Sequence, residues 1–162
     1  MGKAFTLDTT YINLRPDDSA TTLKIDRRFW STIEKRTDLD DGRLMGTTTQ
    51  IANWAHWECH SGGDKVLVML SGEMDIVLET EKGERRTRLK EGRAFVVPRG
   101  VWHRGLARKP GMLMFITPGA GTEYRPWSMM TTTSRIDGMP SVHHPSFSGF
   151  DTHRTRNYIS RT

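Results

Sequence analysis

Two stretches decide how this chain is read: residues 54–72, WAHWECHSGGDKVLVMLSG, and residues 92–103, GRAFVVPRGVWH. Along a strand, side chains alternate between faces, so His56, Glu58 and His60 project together. Three metal-capable groups then share one face. The second stretch adds His103 behind Pro98 and Gly100, which read as a turn feeding a new strand. Lys65 opens the run KVLVMLS, apolar on both parities as expected of a strand buried between layers. Cys59 has the parity opposite to Glu58 and His60 and reads as a packed thiol rather than a nucleophile.

Working outward, residues 44–52, LMGTTTQIA, show Thr-rich alternation, and Ser71 with Gly72 predicts a turn after KVLVMLS. EMDIVLET sets Met74, Ile76 and Leu78 against Glu73, Asp75 and Glu79. The turn at 82–84 then makes a hairpin with RRTRLKEG. RAFVVP, VWHRGLA and MLMFITPG follow, separated by Pro and Gly at 98–100, 110–111 and 118–119. About eight short strands at even spacing predict an all-β sandwich or barrel of the jelly-roll kind. Before this core, FTLDTTYINL reads as a strand that needs a sheet to join, its own or a second subunit's, and residues 15–25 read as a loop. A short helix is expected from Asp26 to Arg36, with Phe29, Trp30 and Ile33 on one side. The predicted organisation is a single domain: an arm and helix over 1–40, a barrel over 41–119 and an irregular extension over 120–162. In that extension Tyr124, Trp127, Met129, Met130, Phe147 and Phe150 are candidates for wrapping the barrel or a neighbouring subunit.

The 162 residues suffice for a substantial core without staples. One cysteine excludes an intramolecular disulfide and suits a reducing compartment. With no long apolar run and no secretory pattern at the N-terminus, a cytoplasmic protein without membrane contact is expected. The chain carries 24 Lys+Arg against 19 Asp+Glu, but the basic residues are dispersed and lack a nucleic-acid-binding motif, so no nucleic-acid partner is expected.

Together the two stretches resemble the paired motifs of the cupin superfamily. Glu58, His60, Lys65 and Gly72 stand where the first motif has its H-x-H pair, glutamate and closing glycine, and Ala52 replaces its opening glycine. Gly92, Pro98, Gly100 and His103 match the second motif, whose closing asparagine is Ala107 here. The resemblance spans Leu44 to about Gly119 and implies a cupin-type β-barrel, a site inside it and a homodimer. Cupins generally hold a divalent metal with three histidines and a glutamate. What this chain retains is Glu58, His60 and His103, a set that suits Fe, Mn, Zn or Ni, with His56 as an extra ligand or supporting group.

Lys65 at the glutamate position opens two alternatives. Its ammonium could pair with Glu58 and replace the metal, giving a metal-free pocket. A desolvated Lys65 could instead act as base or imine former, with His60 or His103 moving a proton. The catalytic candidates are accordingly Lys65, Glu58 and His103. Two function classes follow: an enzyme converting a small metabolite by isomerisation, cyclisation, lyase chemistry or oxygenation, and a non-catalytic ligand-binding or sensor cupin. A small-molecule ligand is expected in both.

Overall fold

The alternating segments fold into nine strands in a computed structural model in which residues 3–127 are described. These are β1 (Thr10–Leu14), β2 (Ala20–Lys24), β3 (Arg43–Gln50), β4 (His56–His60), β5 (Lys65–Thr80), β6 (Gly83–Lys90), β7 (Ala94–Val97), β8 (His103–Pro118) and β9 (Thr122–Pro126). All pair antiparallel in one sheet. The path runs β2-β1-β3-β8-β4-β9, and β5 joins β6, β7 and β8. The all-β architecture is as the sequence implies, but the pairing does not return on itself, so the sheet is not closed.

Two long strands organise it. The C-terminal half of β8 lies between β3 and the first half of β5, while its N-terminal half borders the second half of β5 and meets β4 where Glu58 pairs His103. The turn expected at Ser71 and Gly72 is a bulge inside β5 instead, with register shifts between Met69 and Met74. That bulge switches parity: Leu67 and Met69 face the core before it, and Met74, Ile76 and Leu78 after it. Gly72 takes φ +82°, where a Cβ would lie 2.6 Å from the Pro110 carbonyl oxygen, so only glycine fits. The break expected at Pro110 and Gly111 likewise lies within the continuous β8.

Differences concentrate before the core. Residues 15–25 hold β2, because Asp17 accepts bonds from the Ser19 N–H (3.1 Å) and hydroxyl (2.6 Å), compressing the loop into a hairpin tip. β1 joins its own sheet through β3. The helix expected from Asp26 to Arg36 is not formed: one turn, α1 (Phe29–Thr32), gives way to 3-10 turns. Its N-cap, Arg28, offers no capping side chain, and the Thr32 hydroxyl donates to the Arg28 and Phe29 carbonyls, competing with the helical ladder. Phe29 still packs edge-on against Tyr11, which also meets Phe115 edge-on. The Trp30 side chain, Met129, Met130, Phe147 and Phe150 lie outside the described residues. Thr122–Pro126, expected to be irregular, pairs residue for residue with β4 as β9.

Candidate metal centre

β4 delivers two of the four central groups. Glu58 and His60 project from one face of β4, with Glu58 directly opposite His103 on β8. Lys65, the first residue of β5, points inward with Leu67 and Met69, and its side chain is 8% exposed. A Glu58 carboxylate oxygen, Oε2, lies 3.6 Å from His60 Nε2 and 3.7 Å from His103 Nε2. The same oxygen accepts from the Lys65 ammonium. The candidate ligand atoms of Glu58, His60 and His103 all lie within 4.8 Å of one another. Four residues singled out from the two motifs therefore meet at one point.

Each imidazole is held by its far nitrogen. His103 Nδ1–H donates to the Val101 carbonyl at 3.1 Å, which leaves Nε2 with a lone pair. His60 Nδ1 bonds the Thr122 hydroxyl at 2.9 Å and lies 3.3 Å from the Thr117 hydroxyl. Both Nε2 atoms are buried with no hydrogen-bond partner among the described residues. Burial pushes His103 down to about 4, helped by the positive charge of Lys65, and burial lowers His60 as well. At neutral pH both rings are uncharged. Burial alone would raise the Glu58 carboxyl, but the Lys65 charge, the bonds from His56 and Lys65 and the nearby His60 ring outweigh it. The carboxyl is held well below its ordinary value.

His56 shares the strand face yet stays outside the ligand set. Its ring is 42% exposed, and Nε2 donates to the other Glu58 oxygen at 3.1 Å, so it steadies the carboxylate. Among the tryptophans near the motifs, Trp54 alone lies against the site. Its ring sits edge-on to His103 and 5.1 Å from Lys65 Nζ, with its indole N–H donating to Gln50 at 2.6 Å. Gly105 permits this approach, since a Cβ there would fall 2.8 Å from the Trp54 ring. Trp57 and Trp102 belong instead to a stack in which Arg125 lies over both and Arg104 lies over Trp57 and Trp127. Cys59 is buried, and desolvation raises its thiol, which disfavours the nucleophilic thiolate.

Sequence reasoning missed Thr117, Thr122 and Gln50. Thr122 stands directly across from His60, and recognising β9 in TEYRP would have found it. The donor set fits a divalent transition metal: two buried imidazole Nε2 atoms, each ring oriented through its other nitrogen, and a carboxylate. Lys65 is the departure, occupying one lone pair of Oε2 as His56 occupies one of Oε1, so that each oxygen keeps a second lone pair.

A family model described as a cupin domain matches residues 49–120, which include both motifs. No curated protein matches the chain. Among solved structures, a cupin-2 domain protein from Shewanella frigidimarina is 22% identical, covering 47% of this chain and 70% of its own, with a TM-score of 0.41. A Neisseria meningitidis protein is 25% identical over 47% of this chain and 73% of its own, at 0.41. A hydroquinone 1,2-dioxygenase from a Sphingomonas species is 15% identical over 49% and 61%, at 0.41. Both motifs lie within the matched segment and their central side chains converge, so residues 49–120 carry the likeness to a cupin domain.

Proposed function

We propose that this chain binds a divalent transition metal through Glu58, His60 and His103 and works on a small oxygenated organic ligand, as an enzyme of small-metabolite conversion. The observation that carries this reading is the pair of buried Nε2 atoms without hydrogen-bond partners among the described residues, both beside the same carboxylate. Buried polar atoms are rarely left unpaired without a functional reason. A bound ion would supply Lewis acidity toward the ligand's oxygens, and Fe, Mn, Zn and Ni all suit the donor set.

The chain's own residues supply the rest. Val101 and Thr122 keep both Nε2 atoms aimed at one point. Trp54 offers an apolar wall that excludes water from one side, and Lys65 offers N–H donors to a ligand oxygen. Isomerisation, cyclisation, lyase chemistry and oxygenation are the reaction classes compatible with this set. A homodimer in the cytoplasm belongs to the same proposal, and sedimentation over a concentration series checks the dimer.

The test is thermal unfolding of metal-free protein titrated with Fe(II), Mn(II), Ni(II) and Zn(II). An ion present at a hundred times its Kd stabilises the fold by about 2.7 kcal/mol, and His60→Ala should abolish the shift. No shift with any ion would sink the proposal.

One observation favours a second reading. The Lys65 to Glu58 ion pair places a positive charge next to the same carboxylate, as expected of a metal-free ligand-binding cupin. In that case the parent shows no metal response, and Lys65→Glu creates one.

A further inference from the structure

Lys65 carries more hydrogen-bonding capacity than the described residues use. An ammonium has three donors. Among the described residues, the acceptor found for Lys65 is Glu58 Oε2. The side chain is almost wholly buried, beside two imidazole nitrogens that lack hydrogen-bond partners among the described residues and against the apolar face of Trp54. Buried donors of a charged group are costly to leave unmade, so the unspent N–H bonds need an acceptor at this place.

Charge points the same way. Glu58 and Lys65 cancel, and the neutral imidazoles add nothing. A divalent ion held by Glu58, His60 and His103 therefore leaves the enclosed site with two surplus positive charges. A carboxylate in place of Lys65 would cancel both. The site as built favours a ligand that brings negative charge and oxygen acceptors together.

We propose, resting on the metal reading above, that Lys65 is the specificity-determining residue of this site and selects a small anionic oxygen ligand, a carboxylate or enolate, over its neutral isostere. One oxygen of such a ligand accepts from the ammonium while another faces the ion. Its hydrocarbon part meets Trp54. Lys65 then reads ligand charge, and the ion reads ligand oxygen.

The experiment loads metal-free protein with Co(II), whose visible absorption reports on its ligands, and titrates glycolate and the neutral glycolamide. Glycolate is expected to perturb the Co(II) bands with a Kd about tenfold below that of glycolamide, as one charge-assisted bond would give. Lys65→Met should bind Co(II) and lose most of that preference. Lys65→Gln carries the same comparison if Lys65→Met loses the native melting transition. Equal affinity for the two probes, or a preference undiminished without the ammonium, overturns the inference and leaves the metal reading intact. A parent protein that takes up no Co(II) overturns both.

Discussion

Residue 65 is where the chemistry of this chain departs from its motif. A glutamate there would offer an oxygen to a metal, whereas the Lys65 ammonium donates a hydrogen bond to the Glu58 carboxylate. Replacing a positive charge by a negative one within a few ångströms of the ligands favours a cation strongly. Lys65→Glu should therefore tighten metal binding by at least about tenfold, measured by competition with a chromophoric chelator. Unchanged affinity would mean that residue 65 does not sense the ion. His103 makes a separate claim in the metal-free protein. Its folded value of about 4 lies below the ordinary 6.5, so between those values the unfolded chain takes up a proton that the native ring refuses. Stability present in full above pH 6.5 is thus lost as pH falls toward 4, by about 3 kcal/mol at most. The depressed Glu58 carboxyl adds a loss in the same direction below pH 4.5. Urea unfolding at pH 7 and pH 4.5 in chelator should show the decline, and His103→Gln should flatten its upper part. A pH-independent midpoint in the parent would contradict the buried, neutral assignment of His103.

At the scale of elements, the site depends on where two long strands bend. The bulge at Gly72 lets β5 present Lys65 to the interior at one end and bury Met74, Ile76 and Leu78 after the parity switch. Gly72→Ala forces a β-carbon into a left-handed conformation and against the Pro110 and Lys109 carbonyl oxygens. It should cost about 1–3 kcal/mol in chemical denaturation, with no cost if the strand could run straight. β9 contributes through Thr122, which orients His60. It is secured on the other face by Arg125, which lies over Trp57 and Trp102 and bonds Glu79 at 2.8 Å. Ion pairs also consume much of the basic content on the neighbouring strands. Arg88 and Arg108 both bond Asp75, and Arg88 reaches Glu73 at 2.5 Å.

Across the molecule, the residues legible in sequence are those fixed by local spacing. Alternation placed Glu58 and His60 on one face of β4, and the P-x-G-x-x-H spacing placed His103 across from Glu58. What escaped depended on contacts distant along the chain. Ser71 and Gly72 look like a turn until β8 is known to run unbroken beside them, and the stretch around Phe29 looks helical until its weak capping is set against the pull of Tyr11. Thr122 lay in a segment without sustained periodicity, although its strand neighbour is His60. Of the two roles open to His56, extra ligand or supporting group, the half-exposed ring takes the second, as a hydrogen-bond partner of Glu58. The central claim is that Nε2 of His60, Nε2 of His103 and the Glu58 carboxylate hold a metal in spite of Lys65. The most direct measurement is elemental analysis of untagged protein purified without chelator, beside His103→Ala prepared identically. The account predicts close to one equivalent of Fe, Mn, Zn or Ni per chain in the parent and none in the variant; a folded parent without stoichiometric transition metal would contradict it.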